Sequence, residues 1–432
     1  MQPTLDPELA KIVMDPRSYA EDTVLHESLA RIRRESPLAR VESTNTDPFW
    51  LVTKHADILE VSRSNRLFHN GDRPVTLTTR EFEAAVRARN GGSPHLVRTL
   101  VQMDEPDHMK FRALTQGWFM PANVRKREDA IRKIARSFVD RMADNAHGGT
   151  GECDFVRDVA LHYPLRVIME ILGVPEADEP RMLKLTQELF GTRDPDLNRG
   201  KQQRDGTDHL GALAELQSVF ADFFAYFDGI TRDRRVAPRD DVSTIIANGQ
   251  INGAAIAPFE AMSYYVIIAT AGHDTTSAST AGALWALADN PAELEKVKAN
   301  PVLIPGLVDE SIRWVTPVKH FMRTATADTE LRSVKIAKGD WLMLSYPSGN
   351  RDEEVFEDPF VFRADRSPNR HLAFGYGAHL CLGQHLAKLE MGILWEELLP
   401  RLKSVELAGE PQRTVANFVG GPKRLPVRYR MV

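Results

Sequence analysis

One cysteine stands in a glycine-rich decapeptide near the C-terminal end of the chain, Phe374-Gly375-Tyr376-Gly377-Ala378-His379-Leu380-Cys381-Leu382-Gly383. Helix-spaced apolar residues begin directly after it, at Leu382, Leu386, Leu389 and Ile393. The arrangement suits a thiolate held as a metal ligand. Loop amides and the positive end of the following helix favour the sulfur anion over the thiol. Gly375, Gly377 and Gly383 let backbone approach the sulfur without Cβ clashes. The competing reading is a small buried hydrophobe beside a helix start.

A second constraint lies upstream. The longest helical pattern runs over 258–289, which at 1.5 Å per residue spans roughly 48 Å. It is apolar around most of its circumference, as a central buried helix must be. Its middle reads Ala271-Gly272-His273-Asp274-Thr275-Thr276-Ser277. Gly, Asp and Thr oppose helix propensity there, and such an insertion marks a kink where water or a ligand enters the hydrogen-bond ladder. Ala271 and Gly272 keep the helix surface thin. A hydroxyl at Thr275 can position a hydrogen bond, and the Asp274 carboxyl can supply protons. The alternative is hydroxyls bonding back to the helix and one solvated carboxylate. His273 is expected on the other side, in a structural role.

Composition sets the class. With 432 residues, 27% charged, 42% hydrophobic and a net charge of −5, the chain reads as an ordinary globular protein. No linker, repeat or low-complexity tract divides it, so residues 1–432 are read as one domain. The start lacks a signal-peptide pattern and no run of 18 apolar residues exists, so neither secretion nor a membrane span is expected. Only Cys153 and Cys381 occur, which disfavours a disulfide framework and favours the cytoplasm. Cys153 sits at an expected loop-to-helix start and receives no role. The mild acidity argues against nucleic-acid binding.

β-like runs occupy about 37–68, 320–345 and 414–430, with an irregular stretch at 69–100. Helix-spaced apolar residues fill 122–145, 157–172, 177–190, 210–234, 258–289 and 303–315, and a polar loop is expected at 191–209. The fold class is therefore mainly α with small antiparallel β-sheets (α+β). The absence of a βαβ rhythm disfavours a dinucleotide site, and no residues remain for a fused flavin reductase domain.

Phe374, Gly377, His379 and Gly383 around Cys381 resemble the haem-binding signature of the cytochrome P450 family. The run 271–276 resembles the family's Ala/Gly-Gly-x-Asp/Glu-Thr-Thr pattern, and Glu310-Ser-Ile-Arg313 its Glu-x-x-Arg pair. The resemblance covers nearly the whole chain and is strongest to the bacterial soluble branch that includes an α-terpineol hydroxylase. It implies the cytochrome P450 fold, with haem b between the long central helix and the helix after the cysteine loop, and Cys381 as the iron ligand. It implies Asp274 and Thr275 as a proton relay. Phe374, Gly375 and Gly383 would contact the haem, and His108, Arg112, Arg323 and His379 would meet its propionates. It further implies a buried network of Glu310, Arg313 and Arg366. From spacing alone, Glu310 and Arg313 are a surface pair worth a few tenths of a kcal/mol.

The implied activity is a haem-thiolate monooxygenase that uses O2 and two electrons. With no reductase domain, the electrons come from an iron–sulfur ferredoxin and its NAD(P)H-dependent reductase. A basic patch of Arg125, Lys126, Arg127, Arg132 and Lys133, with Arg112 and Lys388, is the candidate docking surface. The substrate class is a compact apolar molecule, a monoterpenoid such as α-terpineol or a para-alkyl aromatic such as p-cymene. Its wall would be Ala271, Val318, Phe321, Phe418 and parts of 75–100. His320 is left to face the pocket or turn away. Alternatives are a haem-thiolate sensor without turnover, an enzyme for larger polycyclic or steroid-like substrates, and a zinc protein using His379, Cys381 and His385. A monomer is expected.

Overall fold

Two apolar runs with period-2 alternation organise the β-rich part. The computed structural model describes residues 3–191, 194–198 and 209–432, so most of the loop expected at 191–209 lies outside the described residues. Strands β1 (Leu38–Val41), β2 (Phe49–Val52), β3 (Phe68–His69), β4 (His320–Ala325) and β5 (Trp341–Ser345) form one sheet in the order β1-β2-β5-β4-β3. Phe49, Leu51, Met322, Trp341 and Met343 face one apolar cluster, with Leu29 and Ile32 of the N-terminal helix Asp22–Glu35. Trp50, Val52, Leu342 and Leu344 face another, with Ile58 and Val61. Both faces are covered, which explains why β2 and β5 read as unbroken apolar runs. The expected antiparallel pairing needs one correction: β5 runs parallel to β2, with Trp341 opposite Phe49.

The helical remainder packs around the largest core, which contains Ile131, Phe138, Tyr163, Leu284, Met391 and Trp395. The 258–289 pattern is two helices, Pro258–Ala271 and Asp274–Asp289, broken at Gly272 and His273. The stretch 69–100 is not wholly irregular. Arg80–Arg89 is a helix, capped by Thr79 Oγ1 accepting from the Phe82 amide at 3.3 Å. Only Val86 is buried on it, so no apolar stripe reveals it. Cys153 lies not at a helix start but within the strand Thr150–Asp154, paired with Val427.

Under the cysteine loop sits a fully buried ion cluster. Helix Ile304–Val315 carries Glu310 and Arg313, both 0% exposed. Arg313 Nε and Nη2 donate to the two Glu310 oxygens at 2.7 Å each. Arg366 Nε donates to the same oxygens at 3.1 and 3.0 Å, and the Arg363 amide and Asn369 Nδ2 complete the carboxylate's partners. Arg313 Nη1 donates to the carbonyls of Asn350 and Pro359. The cluster thus ties a helix to the segment that leads into the cysteine loop. Glu310→Ala leaves two guanidinium groups buried without their carboxylate, at a cost of about 3–5 kcal/mol. A sharp fall in urea midpoint and in yield of folded protein is expected. A wild-type midpoint would show that the cluster does not hold this region together.

Candidate functional site

A cavity of about 1180 Å³ lies between the broken central helix, the cysteine loop, the helix Gln384–Leu398 that follows it, and β4. Cys381 lines it, in a loop folded on itself. The Gly375 amide donates to Leu372 O at 2.8 Å, and the Cys381 amide to Phe374 O at 2.9 Å. Gly377 has φ +73°, and a Cβ there would fall 2.4 Å from Ser62 O. That is a close approach only glycine permits. Gly383 differs from the sequence expectation: its φ is −88° and nothing lies within 4 Å of its Cβ position. Its open side belongs to the cavity rather than to a tight backbone contact. Burial pushes the Cys381 thiol upward in pKa, while the Gly383 amide, Arg112 and the Gln384 amide pull it down. Coordination to a metal deprotonates a thiol outright.

Across the cavity the central helix opens. Thr275 lines the space and its Oγ1 donates back to the Ala271 carbonyl at 2.9 Å. Gly272 allows the break to pack, since a Cβ there would meet Ile168 Cδ1 at 2.9 Å. Asp274 is not part of the cavity lining; its Oδ2 is buried without a hydrogen-bond partner, 3.5 Å from His273 Nδ1. His273 is 0% exposed, as a structural residue should be. Its Nε2 meets Leu161 O at 2.7 Å and its Nδ1 meets Thr186 Oγ1 at 2.9 Å.

Four basic side chains gather at one edge. The His108 and His379 rings lie against each other, tilted by 36°, with centroids 4.1 Å apart. Both ring nitrogens of His108 are buried with no partner. Arg112 Nη2 donates to Leu380 O at 2.8 Å, and Arg323, 5% exposed, donates to Met322 O. None of the four is ion-paired among the described residues. Burial, then neighbouring cations, pushes the His379 imidazole down to about 2 and that of His108 to about 4. A dianionic group placed here would relieve all four, and the orphaned His108 nitrogens and Arg323 fit the two propionates of a haem.

The apolar wall contains Ala271, Val318, Phe321 and Phe418, with Leu77, Val97 and Phe190 in addition. Phe418 packs edge-on against Phe321 at 5.4 Å and tilted against Phe190 at 6.3 Å. His320 turns away from the cavity and braces it. Its Nε2 accepts from the Leu77 amide at 2.9 Å and its Nδ1 donates to Asn417 O at 2.7 Å. It thereby joins the two wall segments that carry Leu77 and Phe418.

One residue escaped the sequence reading. Glu390 is 1% exposed, lines the cavity and shares a hydrogen bond with Thr276. Burial holds its carboxyl well above the usual range, and the Thr276 hydrogen bond opposes the shift. Its position four after Leu386, on the apolar face of the helix, was the available signal. The basic patch also needs correction. Arg132 is taken by Glu128, Glu396 and Glu397, Arg127 by Asp240 and Lys388 by Asp309. Arg112 belongs to the cavity. Arg125, Lys126 and Lys133 are exposed.

Residues 75–423 match the family described as "Cytochrome P450". The chain is 50% identical to Cytochrome P450-terp of a Pseudomonas species, covering 99% of this chain and 98% of that one. It is 30% identical to linalool 8-monooxygenase of Pseudomonas putida, over 96% and 97% of the two chains. The crystal structure of CYP108D1 from Novosphingobium aromaticivorans superposes with a TM-score of 0.90 at 46% identity, with both chains fully covered. Among the described residues no helix is long and apolar enough to cross a membrane. A P450-matched span of this length and a full-length relative at half identity leave one assignment: the chain belongs to the cytochrome P450 family and is a haem-iron monooxygenase.

Proposed function

We propose that the chain hydroxylates a compact terpenoid or para-alkyl aromatic, with haem b bound by Cys381 and held at its propionates by His108, Arg112, Arg323 and His379. The observation that carries this reading is one cavity combining a thiol fed by two backbone amides, a facing hydroxyl at a helix break, and four unpaired basic groups at its rim. The bound haem supplies activation of O2 for insertion of one oxygen atom into a C–H bond. Everything else falls to the chain. The wall of Ala271, Val318, Phe321 and Phe418 excludes water and orients an apolar substrate, with few polar anchors for a polyol or an acid. Linalool, named in one relative, is a substrate of that kind. Electrons arrive from a ferredoxin and its NAD(P)H-dependent reductase, docking where Arg125, Lys126 and Lys133 make no ion pair among the described residues.

Titrating the haem-loaded protein with small terpenes and alkylbenzenes should give a low-to-high-spin shift for at least one of them. Tight binding of steroids or long fatty acids, with no response to α-terpineol or p-cymene, would remove the substrate assignment. A reduced carbon-monoxide adduct absorbing like an imidazole-ligated globin would remove Cys381 as ligand.

Thr275 holds its hydroxyl proton against the Ala271 carbonyl, at the mouth of the opened helix, where a short rotation presents it to the cavity. Asp274 stands behind it, beside His273, and serves as the proton reserve. Thr275→Ala should leave substrate binding within about twofold, yet lower product formed per NAD(P)H by roughly 10-fold or more, which is the usual weight of a positioned proton donor. Unchanged coupling of product to reductant would exclude Thr275 from the relay.

His320→Phe keeps the ring but strands the Leu77 amide and the Asn417 carbonyl, at about 1–3 kcal/mol. Looser substrate binding and a broader product mixture are expected, read by spin-shift titration and product analysis. The pH profile gives an independent check. Burial holds the His320 imidazole down at about 4 in the fold, below its ordinary 6.5. The unfolded chain takes up that proton first, so this contribution to stability is present above 6.5 and lost as pH falls toward 4. His320→Phe should flatten that part of the curve.

A further inference from the structure

Buried cations in folded proteins are paired, because an isolated charge in a low-dielectric interior is strongly disfavoured. Among the described residues two cations break that rule away from the haem cavity. Arg351 is 2% exposed and Lys319 is 9% exposed. The Arg351 guanidinium stacks on Trp314 at 4.9 Å and donates only through Nη2, to the Trp314 carbonyl at 2.8 Å. Its Nε and Nη1 are buried and meet no acceptor among the described residues. Lys319 Nζ donates to the Val315 carbonyl at 2.9 Å. Neither makes an ion pair with a described residue. His26, edge-on to Phe360 at 6.1 Å, adds a third buried nitrogen, Nδ1, without a partner. Arg413, stacked over Trp285 at 4.3 Å, borders the group.

The three groups converge on the end of helix Ile304–Val315: the adjacent carbonyls of Trp314 and Val315 take Arg351 Nη2 and Lys319 Nζ, and Arg313 Nη1 joins the carbonyls of Asn350 and Pro359, the chain neighbours of Arg351 and of Phe360, on which His26 packs. Burial, then Arg351, Lys319, Arg413 and Arg33, holds the His26 imidazole well below its ordinary range. Burial lowers Lys319 to about 7; Asp22 opposes this, and Arg413 and Arg351 add to it. Arg351 is lowered to about 9 by burial and then by Arg313. The carboxylates in reach are already committed. Asp22 pairs with Arg413 at 2.5 Å, and Glu310 serves Arg313 and Arg366. Arg33 is held by Glu353.

We propose that the cluster of Arg351, His26 and Lys319 binds a small monovalent inorganic anion of the halide class. Arg351 Nε and Nη1 and the His26 Nδ1–H are its donors, and Lys319 supplies further positive charge. A monatomic anion suits donors drawn from separate elements and walled by Trp314 and Phe360, since it imposes no acceptor directions of its own. A tetrahedral dianion would need a donor turned toward each oxygen. The anion would tie the N-terminal helix Asp22–Glu35 to the end of helix Ile304–Val315, so its presence should be read in stability and not in chemistry.

The test uses the full haem-loaded chain. Its apparent unfolding temperature is followed at fixed scan rate, pH and ionic strength while sodium gluconate is replaced stepwise by sodium chloride. The expected result is a rise that saturates, reproduced by bromide. Lys319→Met should need roughly 10-fold more chloride for half the rise, a loss of about 1.4 kcal/mol in binding. Crystals soaked in bromide should show anomalous scattering beside Arg351, which stands even if a variant folds poorly. Coincident chloride and gluconate curves, an effect undiminished in Lys319→Met, a response to phosphate but not chloride, or bromide located only elsewhere would each overturn the assignment.

Discussion

A charge taken out of water must find a partner, and this constraint arranges the chain from the core outward. At Glu310 the requirement is met internally. One carboxylate faces two guanidinium groups, an amide and a side-chain amide, from its own helix and from the segment that leads into the cysteine loop. Breaking that cluster strands a charge, so the loop's position is fixed by electrostatics as much as by apolar packing. At the cavity edge the requirement is not met by protein. Among the described residues His108, Arg112, Arg323 and His379 form no ion pair with a carboxylate. The two situations are complementary: the first builds the floor of the site, and the second leaves a chemical demand that an acidic cofactor satisfies.

Sequence patterns carried the chemistry further than the geometry. The cysteine loop and the polar insertion at 271–276 were legible, because each departs from what its local context favours, whereas the Glu310–Arg313 spacing alone read as a surface pair and only the family resemblance implied its burial. A glycine-rich run before a helix, and Gly-His-Asp-Thr in an apolar helix, are signals by contrast. What stayed hidden lacked contrast. Helix Arg80–Arg89 buries only Val86 and so shows no stripe, although Thr79 and the acidic first turn mark its start. Glu390 was masked among the charged residues of its own segment, although its face is apolar. The parallel pairing of β5 with β2 joins residues nearly 300 apart, and no local pattern encodes such a register.

Wall segments show the same division. That Val318, Phe321 and Phe418 are apolar is visible in the sequence; that they meet is not. Their meeting depends on hydrogen bonds of the segments behind them. The Lys319 amide donates to Phe418 O at 2.7 Å, the Met322 amide to Val75 O at 2.9 Å, and His320 bridges Leu77 and Asn417. A neutral imidazole with one donor and one acceptor suits that bridge, since it serves an amide on one side and a carbonyl on the other. Burial, which keeps His320 neutral, is therefore also what keeps it useful.

The opposite logic governs His273. Its Nε2 faces the Leu161 carbonyl, an acceptor only, so that nitrogen carries a proton. Its Nδ1 faces Thr186 Oγ1, whose single hydroxyl proton is also directed at Leu183 O at 3.0 Å. A proton on Nδ1 as well would charge the ring. Burial opposes the charge, yet the Asp274 carboxylate 3.5 Å away, followed by the Leu161 carbonyl and Glu179, raises the imidazole above its ordinary value. The helix break thus does two things at once. It sets the Thr275 hydroxyl, held by the Ala271 carbonyl, at the cavity, and it places the buried His273 beside the Asp274 carboxyl.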